Sequence, residues 1–211
     1  MIKYWIRAIF ACIAILATTA SASAQEFSYT PVDAHTPKIR TEWGVGFGSG
    51  YTGFNTQSTA EVELIPNFGF EAHFDMGVRF GRNFALETEL SFQGGSIDAK
   101  NNHIERRVRT RALDIPLFAS LRLVDGMVRI GVGPQFTVMS RGEYTKDSES
   151  MIFGGVNPTW NMAASVGVCI ARGYLLELRY IHALEDTLNY FEGVEFYSRS
   201  YRLAASISIL F

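Results

Sequence analysis

Cysteine is scarce, with two in 211 residues, Cys12 and Cys169. Cys12 lies in the leader described below, so one thiol remains after processing and no intrachain disulfide can form. A surplus of positive charge is also missing. Lys and Arg number 19 against 21 Asp and Glu, which gives no basic surface for nucleic acid as a partner. The 4 histidines sit among scattered carboxylates without a metal-ligand spacing, so no metal and no cofactor is expected. Beyond the N-terminus no apolar run could cross a membrane as a helix. The longest charge-free stretch, Ser150 to Ala171, is broken by Asn157, Pro158, Asn161 and several glycines, which are turn and strand features.

The N-terminus carries an export signal. Lys3 and Arg7 form a positive region, Ala8 to Thr18 an apolar one, and Ala22-Ser23-Ala24 a small-residue cleavage site. Residues 1–24 are therefore expected to be a cleaved signal peptide. Residues 25–39, with Pro31 and Pro37 and no strand period, read as a periplasmic lead-in. Residues 40–211 remain for one domain.

That domain is dominated by alternation. In the last strand Tyr201, Leu203, Ala205, Ile207, Ile209 and Phe211 share one face, against Arg202, Ala204, Ser206 and Ser208. Successive strand side chains point to opposite sides, so one face is apolar and the other small or polar. The pattern recurs from Trp43, Phe68, Phe84, Leu113, Val128, Trp160 and Tyr174, which makes eight strands. Tight links at Gly81-Arg82, Asp125-Gly126 and Arg172-Gly173 alternate with long, polar ones near 52–64, 96–110, 140–158 and 185–199.

Charge decides which face is inside. A basic side chain facing hydrocarbon at mid-bilayer costs roughly 2–4 kcal/mol, whereas apolar stripes turned to water would far exceed what a soluble monomer exposes. The charges therefore point inward and the aliphatics outward. The expected fold is all-β, an eight-stranded antiparallel up-and-down transmembrane β-barrel. Short periplasmic turns, long external links and aromatic girdles match a monomeric protein of the bacterial outer membrane.

Four segments, Ala112 to Leu123 (ALDIPLFASLRL), Arg129 to Phe136 (RIGVGPQF), Leu175 to Leu184 (LLELRYIHAL) and the terminal AASISILF, resemble the PorT-like outer-membrane β-barrel family of bacteroidete bacteria. The Ile-Pro-Leu strand followed by the Gly-Val-Gly-Pro strand is the most distinctive pair. The resemblance implies a monomeric outer-membrane barrel. The family's namesake serves secretion through the type IX system, and no residue here specifically carries that role.

Three groups of residues are candidates for function. Glu71, Asp75, Glu87, Glu89, Asp114 and Glu177 share the inner face with Arg122, Arg129, Arg179 and Arg202. Eight strands leave an interior that side chains fill, so a structural charge network is favoured over an ion path or solute site. The inner-face glycines Gly44, Gly46, Gly48 and Gly50 make room for long neighbours such as Arg202. Phe211 ends an alternating strand and reads as the assembly signal bound by the barrel-assembly machinery through strand addition. Arg106, Arg107, Arg109 and Arg111 form a basic cluster in the second long link and the strand after it. Their forked donors suit the phosphates of lipopolysaccharide or a partner protein. His182, near Tyr180, Glu185 and Asp186, and His73, beside Glu71 and Asp75, are weak catalytic or metal candidates.

The expected function is a non-enzymatic structural or interaction platform in the outer membrane, in contact with its lipids and lipopolysaccharide and with an envelope protein partner. The alternatives are a secretion-accessory or narrow transport component, and, less favoured, a lipid-modifying enzyme.

Overall fold

The computed structural model describes residues 39–56, 62–101, 104–171 and 173–211. The expected signal peptide, and the lead-in up to residue 38, lie outside the described residues; Ile39 already belongs to the first strand. The strands are β1 Ile39–Thr56, β2 Val62–Pro66, β3 Phe68–Phe80, β4 Phe84–Asn101, β5 Ile104–Leu123 and β6 Val128–Lys146. They are followed by β7 Glu149–Gly154, β8 Trp160–Ala171, β9 Tyr174–Ala183, β10 Thr187–Phe191 and β11 Val194–Leu210.

Eight of these close a ring, as the alternation predicts. Antiparallel pairing runs β1–β3–β4–β5–β6–β8–β9–β11 and returns to β1, where Val45 stands opposite Ile209 and Tyr51 opposite Leu203. Closure pairs the backbone N–H and C=O groups that an open sheet would leave bare in lipid.

Register puts the apolar set outside. On β5 the outward residues from Leu113 to Leu123 are Leu, Ile or Ala, while Asp114, Pro116, Phe118, Ser120 and Arg122 are buried. Ten residues at about 3.3 Å each, tilted about 40°, span roughly 25 Å, the height of an outer-membrane apolar band. Aromatic pairs mark its edges, Tyr51 with Phe68 at 5.9 Å and Phe136 with Trp160 at 5.3 Å towards one end, Phe80 with Phe84 at 6.0 Å at the other. At this second end the chain turns tightly. Gly173 has φ +83°, a left-handed conformation natural to glycine.

The opposite end corrects one expectation. The long links are not polar loops. β4, β5, β6 and β11 run on past the apolar band, and β2, β7 and β10 join them. Two-residue hairpins turn at Asp147-Ser148, with φ 48° and 72°, and at Glu192-Gly193, with φ 47° and 85°. Both central residues have positive φ, the twist that two-residue hairpins favour. This upper tier has an apolar interior of Val62, Ile97, Val108, Tyr144, Phe153, Phe191 and Phe196. Full burial of each large side chain contributes on the order of 1.5–3 kcal/mol. A bulge at the Leu113/Asp114 pairing, where Val138 is the extra residue on β6, reverses the parity of that strand. Above it Met139, Arg141 and Thr145 face out, while Gly142 and Tyr144 face in.

Candidate functional site

All ten charged residues expected inside are buried there. Arg179 on β9 is the hub of the upper half. Its Nη2 donates to Glu89 and to Glu177 at 2.6 Å each, and its Nη1 lies 3.4 Å from Glu71. The ring of Phe118, which packs with Ala163 and Ile181 inside the barrel, lies 5.3 Å from the Arg179 guanidinium carbon and so faces a cation. Arg202 reaches Glu71 from the other side at 3.2 Å.

Glu87 is the hub of the lower half. Arg122 and Arg129 each approach it at 2.5 Å, and Ser120 donates to it as well. Arg122 also holds Glu42 at 2.5 Å, a carboxylate at the start of β1 that alternation left uncounted because it precedes the glycine run.

Asp114 takes no part in these ion pairs. It accepts from Gln93 at 2.6 Å and from Thr137 at 2.7 Å. Asp75 lies 3.7 Å from His73, whose Nε2 is 2.9 Å from the Ser208 hydroxyl. His73 therefore belongs to this network. Its ring occupies space that only Gly46 leaves open, since a Cβ there would fall 2.1 Å from Nε2.

Pairing offsets the burial of these charges, although Asp75 Oδ2, Glu89 Oε2, Glu177 Oε2 and the Nε of Arg179 have no hydrogen-bond partner among the described residues. The described residues contain no group of three His, Cys, Asp or Glu side chains placed to hold a metal. His182 stacks on Tyr180 with ring centroids 6.4 Å apart, and Asp186 is engaged by Arg199 at 2.8 Å. His73 stands between the Ser208 hydroxyl at 2.9 Å and Glu71 at 3.5 Å, but all three are buried in the packed lumen, away from any surface that a substrate could reach. Cys169 is a half-buried free thiol.

The arginine cluster divides. All four residues lie on β5, not in a loop, because the strand begins at Ile104. Arg107, Arg109 and Arg111 point outward and are exposed. Arg106 has the opposite parity. Its Nε donates to Glu192 at 2.5 Å, and Lys146 reaches the other oxygen of the same carboxylate at 2.5 Å. These two bonds, that from Lys146 first, hold the Glu192 carboxyl below its ordinary range. The Lys146 ammonium is raised by the same contact. On the outer face Arg107 donates to Asp98 at 3.0 Å, and Asn67 donates to the other Asp98 oxygen at 3.0 Å. Asn67 and then Arg107 lower the Asp98 carboxyl. Arg111 stands opposite Arg141 of β6, which pairs with Glu143 at 2.5 Å.

Phe211 closes the ring at the chain terminus. Its N–H donates to the Trp43 carbonyl at 2.9 Å, and the Trp43 N–H to the Phe211 carbonyl at 3.1 Å. Its side chain is 71% exposed.

A family model described as "Outer membrane protein beta-barrel domain" matches residues 23–189. Solved structures share the architecture at low identity. Neisserial surface protein A is 12% identical, over 79% of this chain and 96% of that one, with a TM-score of 0.51. Ail, the attachment invasion locus protein of Yersinia pestis, is 9% identical over 82% and 99%, with a TM-score of 0.52. A second Ail structure, 8% identical over 82% and 99% with a TM-score of 0.50, is a complex with the heparin analogue sucrose octasulfate. These likenesses bear on the fold. No curated protein matches the chain.

Proposed function

The chain belongs to the outer membrane protein β-barrel domain family, and on that premise we propose that it is a sealed, non-enzymatic barrel that acts as a rigid platform for interactions at the cell surface. Its place is the outer membrane. The observation that carries the proposal is the filled lumen. Arg179, Glu89, Glu177, Phe118 and the groups around Glu87 occupy the membrane tier, and the apolar cluster around Phe153 and Phe191 occupies the tier above. Ions crossing such a barrel would have to part both layers. What extends beyond the bilayer is strand and packed core, which suits a surface held in one shape for a partner.

The export segments around Lys3, Arg7 and Ala22-Ser23-Ala24 support cleavage after Ala24. Phe211, on its alternating strand, supports recognition by the barrel-assembly machinery. Within the family, the Ile115-Pro116-Leu117 and Gly131-Val132-Gly133-Pro134 strands support a PorT-like affiliation.

Planar-bilayer recording on the reconstituted protein tests the seal. The expected result is a silent membrane at neutral pH. A steady conductance that scales with the amount of inserted protein would contradict the proposal and favour a transport component.

A further inference from the structure

Just beyond the apolar band, the outer face changes character within one turn of the sheet. Leu113 on β5 is followed outward by Arg111, Arg109 and Arg107, and Met139 on β6 by Arg141. Glu105, beyond Arg107, stands opposite Lys100, and the carboxylates interleaved with these four arginines are Asp98 and Glu143. Arg107 and Arg141 engage them, and among the described residues no carboxylate lies within ion-pair distance of Arg109 or Arg111. The patch therefore keeps a net positive charge.

Beside it lies a shallow groove open to solvent. Arg107 and Arg109 line one side, and Phe68 and Phe70 the other. Phe68 is 78% exposed, and the Phe70 ring lies across Gly94, where a Cβ would come within 2.4 Å of it. The floor is glycine backbone with Ser96. Phe68 belongs to the aromatic edge of the band with Tyr51. One wall thus faces the chain region of the outer leaflet while the other presents guanidinium groups at headgroup level.

We infer that this groove is a binding site for the phosphorylated sugar headgroup of an outer-leaflet glycolipid, the lipid A part of lipopolysaccharide. The phosphate meets Arg109, with Arg107 pre-set beside it by Asp98, in the forked geometry that guanidinium offers to phosphate. The sugar and the first methylenes lie along Phe68 and Phe70. The inference is independent of the sealed lumen, because it uses the outer surface alone.

Native mass spectrometry of the full, folded barrel in detergent, titrated with bis-phosphorylated lipid A and with the same lipid after phosphate removal, tests it. Wild-type protein is expected to retain the phosphorylated lipid in preference. R107A/R109A is expected to lose on the order of tenfold in that binding. R40A/R82A, at the periplasmic end, serves as the charge-matched control and should keep wild-type binding. All these positions are exposed, and circular dichroism with heat-shifted gel migration verifies that each variant is folded. Unchanged binding by R107A/R109A, an equal loss in the control, or equal retention of the dephosphorylated lipid would overturn the inference. So would binding of a soluble polyanion such as sucrose octasulfate with no retention of lipid A.

Discussion

Arg202 lies against Gly50: a Cβ on that glycine would fall 2.7 Å from the guanidinium carbon. The residues belong to neighbouring strands, and Arg202 passes over the bare backbone to reach Glu71 at 3.2 Å. Gly50→Val would force the arginine aside and separate it from its carboxylate. We expect a loss of about 1–3 kcal/mol, as for overpacking elsewhere, measured by urea unfolding from lipid vesicles. Ala205→Val, on the lipid face, should stay within about 0.5 kcal/mol of wild type.

Arg179 holds three carboxylates, so its removal leaves charge buried without a counter-ion. Arg179→Ala is expected to cost about 3–5 kcal/mol. Changing Arg179→Met together with Glu89→Gln and Glu177→Gln should recover much of that loss, since two of the orphaned charges disappear with it. The same urea titration checks both. A triple variant as unstable as the single one would show that packing, not charge, dominates there.

Glu192 ties Arg106 of β5 and Lys146 of β6 to the β10–β11 hairpin. Its carboxyl is depressed in the folded protein, so the stabilisation is fully present above the ordinary Glu value near pH 4.3 and is lost as pH falls through the depressed one. Hydrogen exchange, corrected for intrinsic rate, should show the hairpins at 147–148 and 192–193 opening below about pH 4 while the membrane tier stays protected. Glu192→Gln should show the weaker protection at neutral pH and little further change on acidification.

Phe211 exposes its ring, and among the described residues its backbone bonds to Trp43 alone. Deleting Phe211 should therefore lower the amount assembled in cells several-fold, a loss on the scale expected for a β-augmentation signal. The purified chain should refold in vesicles nearly as well as wild type. Equal impairment in both settings would mean that Phe211 serves stability and not recognition.

The membrane tier was legible because one face of every strand meets a single solvent, lipid, and the period of two is uninterrupted from Leu113 to Leu123. The upper tier was not. There Ile97 and Ala99 alternate with Ser96, Asp98 and Lys100, and small inward residues among charged outward ones average to the composition of a loop. Val138 adds a parity change that no local pattern announces, so Arg141 and Tyr144 trade the faces that simple alternation assigns. The arginine cluster suffered in the same way. Arg106 and Arg107 are adjacent, hence on opposite faces once the segment is a strand, and treating it as a loop merged a structural clamp with an exposed patch. Glu42 precedes the glycine run of β1, and its partner Arg122 is 80 residues away, so no local pattern joins the two.

The most direct test of the account is the position-dependent cost of an outward charge. Val132 lies in the middle of the apolar face of β6 and is 53% exposed, whereas Thr145 faces outward above it. Equilibrium folding into lipid vesicles should show Val132→Arg costing about 2–4 kcal/mol and Thr145→Arg about 0–1 kcal/mol. Equal costs at the two sites, or a Val132→Arg protein as stable as wild type, would contradict a barrel that turns this face to lipid.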